Sequence, residues 1–416
     1  MTKKIPVERL KPGMYIADLN SEWMAHPFLR NHFLVKEEET IQKLIRAGIR
    51  EVYIDPQRGL DVNDAPSAEE VQRATETAIV QVGEEAAMLP RIPIREERDY
   101  AAQLYLEGVH LIREMMQDVR LGRQVAVHRV DPLVRRIAES TIRNPDALLS
   151  LVRVKNKDLY TFQHSVAVGA LVVAFSHTVG LDVRQVHLAG VGGLLHDIGK
   201  VSIPDHILNK PGRLTEEEFA VMRCHVAEGK KILEAAHGIH DLSIQAAYQH
   251  HERCDGSGYP EALSAATISD AGKMVAICDV YDAITSDRVY HKALLPHQAV
   301  RKLFEWANFH FDPDRVQDFI RMIGIYPIGT LVLLQSGRIG IVTEQRSTSL
   351  LQPRLTVFYD TRWGHYISPV DVDLSRPMGR GGADEIVGPT TSEQWGITRY
   401  PVAPPTPQET IPYRLD

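Results

Sequence analysis

From about residue 100 to 323, apolar positions recur every three to four residues, in LYLEGVHLIREMM, SVAVGALVVAF, VHLAGVGGLLHDIG, KKILEAA, DLSIQAAYQHH, AGKMVAICDVYDAI and AVRKLFEWA. That period places one apolar stripe on each of a succession of helices and predicts an all-α core. The first sixty residues differ: short β-like runs, a turn at Pro12-Gly13, and one helical stretch, EEETIQKLIRAGI, that ends at Gly48 before the strand-like REVYID. A small α+β module over 1–60 is expected, followed by a polar, acidic linker over 61–99 with some helix in it, punctuated by Pro66, Pro90 and Pro93. Beyond Tyr326-Pro327, the β-branched runs GTLVLLQSGRIGIVTE and PRLTVFYD, joined by turn residues, predict a β-rich appendage over 324–375 and a flexible tail over 376–416. The fold class is therefore multidomain: an all-α bundle core, a small α+β N-terminal module and a small β-rich C-terminal appendage.

Composition narrows the field. With 416 residues and a net charge of -7, the chain is long enough for several cores and lacks the basic surplus of a nucleic-acid polymer binder. Cys224, Cys254 and Cys278 are odd in number and form no CxxC pair, as expected in a reducing compartment. The opening residues hold no signal-peptide core, and no apolar run approaches the length needed to span a bilayer. We therefore expect a cytoplasmic protein without a membrane partner.

Five histidines and two aspartates punctuate the helical region: His164, His196-Asp197, His225, His250-His251 and Asp279. Facing helices of a bundle, each contributing one or two inward ligands, are a known way to build a dinuclear metal centre. A lone core histidine is more often a hydrogen-bonded filler than a ligand. Adjacent pairs in apolar context are harder to explain that way, because ionisable groups there are costly without partners. On a helix, neighbours such as His196-Asp197 and His250-His251 point about 100° apart and could flank a cluster of ions.

These segments, read together, resemble the HD-GYP subgroup of HD-domain phosphohydrolases over about residues 150–310. The matching text is YTFQHS at 160–165, GLLHDIGK at 193–200, IPDHILNKPGRLTEEEF at 203–219, HVAEG at 225–229, HHERCDGSGYP at 250–260 and AICDVYDAITSDRVY at 276–290. LKPGMYI and WMAHPFLRNHF in the first sixty residues are similar to a small module found ahead of such domains.

The resemblance implies a cyclic di-GMP phosphodiesterase acting in bacterial second-messenger signalling, which controls motility and biofilm formation, with products pGpG or GMP. Asp197 would bridge two metal ions, with His164, His196 and Asp279 completing one site and His225, His250 and His251 the other. Such a donor set suits iron or manganese, with nickel or zinc as alternatives, and not the oxygen-only cages of calcium or magnesium. Some members hold a third ion through a glutamate that is Tyr160 here, so two ions are expected. A hydroxide between the ions would attack phosphorus, with Lys200, three residues beyond Asp197, on a phosphate oxygen. Arg288, Tyr290 and His291 match the substrate-contacting segment, but His291 stands where the family usually carries Lys or Arg; Lys292 follows it. Asp255, Gly256 and Gly258 would shape a turn with Tyr259 and Pro260 as wall, a surface also suited to protein partners. Glu252 would orient a ligand from outside the coordination sphere.

Two other readings stay open. One is an HD hydrolase of another nucleotide phosphoester, against which GYP and SDRVY speak. The other is a cyclic di-GMP receptor of low activity that signals through protein contacts; the full set of seven ligands speaks against it, and only His291 for it.

Overall fold

The computed structural model describes residues 2–21, 28, 31–84, 92–152, 155, 159–236, 238–287, 293–307, 309–345, 349–376 and 384–400. In the N-terminal module, strands β1 (Lys3–Pro6), β2 (Tyr15–Asp18), β3 (Phe33–Leu34) and β4 (Glu51–Ile54) form an antiparallel sheet in the order β1-β4-β2-β3. Helix α1 (Glu38–Arg46) turns Ile41 and Leu44 toward Ile5, Ile16, Val52 and Ile54, giving the module its own core. Charged residues cover its other side, as expected for an amphipathic surface helix.

The bundle follows as α2 (Ala68–Glu84), α3 (Ile94–Arg120), α4 (Val127–Arg143), α5 (Pro145–Leu151), α6 (Tyr160–Thr178), α7 (Val183–Leu195), α8 (Asp205–Leu208), α9 (Glu216–Ala235), α10 (Asp241–Tyr248), α11 (Asp270–Ile284), α12 (Pro296–Trp306) and α13 (Pro313–Ile323). Every residue of α6 from Gln163 to Ser176 is buried. A helix apolar all round belongs at the centre of a bundle, and α6 contacts α3, α4, α7, α11 and α13. Its approach to α7 depends on a small residue, since a Cβ at Gly193 would lie 2.9 Å from Val172 Cγ2. Two N-termini are fixed by reciprocal capping boxes, Asp182/Gln185 on α7 and Thr215/Glu218 on α9.

Strands β5 (Leu331–Leu334), β6 (Arg338–Glu344), β7 (Arg354–Asp360), β8 (His365–Asp373) and β9 (Ile386–Pro389) form a five-stranded antiparallel sheet in the order β8-β7-β6-β5-β9, followed by a short α14 (Ser392–Trp395). The buried Asp146 ties this sheet to α5 by accepting a 2.8 Å hydrogen bond from the Gln345 amide.

The linker carries the helix expected within it, and the expected tail carries structure of its own. Helix α2 lies within the expected linker and packs on α12 and α13, with Thr75 and Ile79 buried in an otherwise polar sequence. That stripe is too narrow to stand out among the surrounding charges. Strand β9 and α14 lie within the expected tail; β9 is held by backbone pairing to β5, which demands little of its side chains. Among the described residues no helix is long and apolar enough to cross a membrane.

Candidate metal centre

The seven candidate ligands come from five places in the bundle. His164 lies near the start of α6, and His196 caps the C-terminus of α7. Asp197 starts a 3-10 turn, Ile198–Ser202; His225 is in mid-α9 and Asp279 in mid-α11. The 3-10 turn lies directly on α9: a Cβ at Gly199 would collide with the His225 carbonyl and with the backbone of Gly229. Only glycine permits that approach, and it brings Asp197 beside His225.

His250 and His251 are not on a helix. They occupy the turn just past the end of α10, where their rings come to 4.0 Å between centroids at 43°. The helical estimate of side chains about 100° apart fails for this pair because the turn folds both rings to one side.

All seven side chains converge. His164, His196 and Asp279 form one group, His225, His250 and His251 a second, and His196, Asp197 and His250 a third that overlaps both; within each group the ligand atoms lie within 4.8 Å of one another. Asp197 faces both ways: Oδ2 is 3.5 Å from His164 Nε2 and 3.4 Å from His196 Nε2, while Oδ1 is 3.5 Å from His225 Nε2. Asp279 Oδ1 lies 3.0 Å from His164 Nε2.

The hydrogen bonds fix which imidazole nitrogen is free. Nδ1 of His196, His225 and His250 donates to the carbonyls of Gly193 (2.7 Å), Met222 (2.7 Å) and Ala247 (2.5 Å), and Nδ1 of His164 to Asp282 Oδ2 at 2.6 Å. A ring whose single proton sits on Nδ1 turns an unprotonated Nε2 inward. His225 Nε2 and His250 Nε2 face each other at 3.4 Å, so two lone pairs oppose one another with no proton between them. His196 Nε2 is buried without a hydrogen-bond partner among the described residues. A cation resolves both conflicts, so these residues fit a metal site.

The electrostatics agree. Burial, with the neighbouring imidazoles, pushes His225 down to about 4 and His250 to about 3, and His251 well below its ordinary value. These rings are neutral, as ligands must be. Burial opposes the charge on Asp197, yet Lys200 and His196 hold its carboxyl well below the usual range. Burial also works against His196, but the carboxylates of Asp197 and Asp279 outweigh it and raise that ring. Negative potential thus converges on one inward nitrogen.

The remaining expected residues fare differently. Lys200 places Nζ 2.5 Å from Asp197 Oδ2, so its ammonium is engaged by that carboxylate before any substrate arrives. Tyr259 stacks on His251 at 4.6 Å, with the Arg223 guanidinium 4.3 Å from the centroid of the tyrosine ring. Asp255 accepts from the Ser257 amide and hydroxyl, closing the turn through Gly256. Glu252 does not orient a ligand: its oxygens accept from the amides of Glu261 (2.7 Å) and Leu263 (2.9 Å) and hold the loop instead. Tyr160, at the third-ion position, stacks on His164 at 5.8 Å and supplies no carboxylate there. Arg288, Tyr290, His291 and Lys292 lie outside the described residues.

Sequence reasoning missed Asp282. It is buried, accepts from His164 Nδ1, and pairs with Lys155. Burial would raise its carboxyl, but Lys155 and His164 hold it below the ordinary value. Its signal was available: Asp279 and Asp282 stand three apart on α11, hence on one face.

A cavity of about 370 Å³ opens beside His250, His251 and Tyr259, and Lys43 and Arg46 of α1 in the N-terminal module also line it. The module is fixed there by Arg50 Nε on Asp255 Oδ2 (2.8 Å), Tyr53 on Glu305 (3.3 Å) and Trp306 Nε1 on the Asn20 carbonyl (2.8 Å).

Comparison with known proteins agrees with this architecture. Residues 143–314 match a family described as HD domain, and residues 2–130 a domain of unknown function (DUF3391). The chain is 42% identical over 399 residues to the cyclic di-GMP phosphodiesterase PA4108 of Pseudomonas aeruginosa, covering 95% of this chain and 94% of that protein. It is 35% identical over 183 residues to a cyclic di-GMP phosphodiesterase of Thermotoga maritima, covering 42% and 50% of the two chains. It is 37% identical over 148 residues to the 3'3'-cGAMP-specific phosphodiesterase 1 of Vibrio cholerae, covering 36% and 34%. With a match of that identity spanning nearly both full lengths, the chain belongs to the HD-GYP family of metal-dependent phosphodiesterases, alongside PA4108.

Proposed function

We propose that the chain hydrolyses cyclic di-GMP at a centre of two divalent ions, giving linear pGpG, with GMP as the alternative end product. The observation that carries this reading is Asp197, whose Oδ2 faces Nε2 of His164 and His196 while its Oδ1 faces Nε2 of His225. His164, His196 and Asp279 would hold one ion and His225, His250 and His251 the other, with Asp197 shared. Iron or manganese suits a set of five imidazoles and two carboxylates, ahead of nickel or zinc. When bound, such a pair would supply Lewis acidity, lowering the pKa of water and neutralising charge that develops on the phosphate oxygens.

The protein side chains do the rest. Asp282 and the three backbone carbonyls keep the imidazoles oriented and in one tautomer. Lys200 stays at the bridging carboxylate and offers its remaining N–H donors to a non-bridging phosphate oxygen. Tyr259, braced between His251 and Arg223, offers a ring face to a guanine base. Arg288, Tyr290 and His291 complete the substrate contacts in this reading.

The test is a timed product analysis on anaerobically purified protein, offering cyclic di-GMP, 3'3'-cGAMP and pGpG in parallel. Metal-dependent conversion of cyclic di-GMP to pGpG, faster than that of 3'3'-cGAMP, is expected. Tight binding without turnover at any metal loading would favour a receptor instead, and cleavage of pGpG alone a hydrolase of linear nucleotides.

A further inference from the structure

The cavity beside His251 is not built by the bundle alone. Lys43 and Arg46, on the last turns of α1, line it together with Arg223, Arg253, Tyr259 and the two adjacent histidines. Cations outnumber acids on its wall: Lys43, Arg46, Arg223 and Arg253 against Glu216 and Glu252. Glu252 is already satisfied by two backbone amides. Arg46 has no carboxylate partner among the described residues, and the Lys43–Glu39 pair is 3.4 Å long with both side chains more than half exposed, a contact worth little in water. The positive surplus therefore awaits an anion.

We infer that Lys43 and Arg46 of the N-terminal module bind the phosphate of the cyclic dinucleotide that is not being cleaved, so that the module is part of the substrate site. This rests on the phosphodiesterase reading above. A cyclic dinucleotide carries two phosphates on opposite sides of its ring; with one at the metal centre, the other must be received at a distance. The cavity is lined both by His250 and His251 and by Lys43 and Arg46 of α1, so a ligand that fills it meets both groups. An arginine fork and a lysine ammonium are the side chains that recognise phosphate. They are also held ready, because Arg50, Tyr53 and Asn20 anchor the module to the bundle. That removes part of the ordering cost of binding.

The test compares full-length wild type with Lys43→Ala/Arg46→Ala, and with Lys43→Arg/Arg46→Lys as the charge-keeping control. Steady-state kinetics use cyclic di-GMP and, separately, bis(p-nitrophenyl) phosphate, a diester with no second phosphate. Calorimetry with a slowly hydrolysed phosphorothioate analogue of cyclic di-GMP gives affinity apart from turnover. The alanine pair should raise KM and weaken analogue binding roughly tenfold, about the size of one charge-assisted hydrogen bond. Its kcat and its turnover of bis(p-nitrophenyl) phosphate should stay within about twofold, the affinity should depend less on salt, and the control should restore binding. Unchanged KM and affinity in the alanine pair, with an active wild type, would overturn the inference while leaving the phosphodiesterase reading intact. Equal loss on both substrates would overturn it too, by giving these residues a structural role. A wild type that neither binds nor cleaves cyclic di-GMP would remove the reading on which the inference rests.

Discussion

Replacing Asp282 with asparagine tests how far the centre depends on groups outside it. The carboxylate is fully buried, accepts from His164 Nδ1 at 2.6 Å and pairs with Lys155, whose side chain is 5% exposed. Asparagine keeps an acceptor for the imidazole, so the His164 tautomer survives; what disappears is the charge that makes its Nε2 more basic. Losses of this kind weaken metal binding by about 10–100-fold, or roughly 1.4–2.7 kcal/mol. A second penalty falls on the fold, because Lys155 loses its carboxylate, and breaking a buried pair from one side costs about 3–5 kcal/mol. Asp282→Ala, which also removes the acceptor, should be worse on both counts. Competition against a chelator of known affinity measures the first effect and denaturant titration the second. Wild-type metal affinity in Asp282→Asn would refute the claim that this residue tunes His164.

Two further outcomes concern the contact between the N-terminal module and the loop at 250–260. Gly48 has φ of 74°, and a Cβ there would meet Ser257 Cβ at 2.6 Å and Arg253 Nη1 at 2.8 Å. Gly48→Ala, which adds a left-handed penalty of about 1–2 kcal/mol to that clash, should speed amide hydrogen exchange at residues 254–258; unchanged exchange would show that the contact does not hold the loop. His310, buried against the Gly48 carbonyl, is pushed from 6.5 to about 3 by burial, with the Arg253 charge adding to it. Between those values the unfolded chain binds the extra proton and the folded chain does not, so stability rises with pH and is lost on acidification. On going from pH 7.5 to 5.5, wild type should lose about 1.4 kcal/mol more than His310→Gln in denaturant titrations; parallel losses would contradict the assignment.

The bundle and the seven side chains that converge inside it were legible in the sequence because both rest on strong local signals. Apolar runs of helical length mark α6, α7 and α11, and paired ionisable residues inside such runs are costly without partners. What escaped depends on contacts distant in sequence. Nothing in the sequence shows that Glu252 would be consumed by the amides of Glu261 and Leu263, whereas the closure of Lys200 on Asp197, three residues apart, had a local signal. The His250–His251 geometry was misjudged because α10 stops at Tyr248, a boundary that no strong breaker announces. The docking of Arg50 on Asp255 joins residues 205 positions apart, and with it the cavity wall on α1 becomes visible only in three dimensions.

Whether Asp197 holds two ions together is decided by elemental analysis of anaerobically purified wild type and Asp197→Ala, with cyclic di-GMP turnover on the same samples. Wild type should carry about two transition-metal ions per chain, and the variant should lose most metal and all hydrolysis, because the shared carboxylate serves both groups of imidazoles. Asp197→Ala that keeps its full metal complement and wild-type turnover would contradict it.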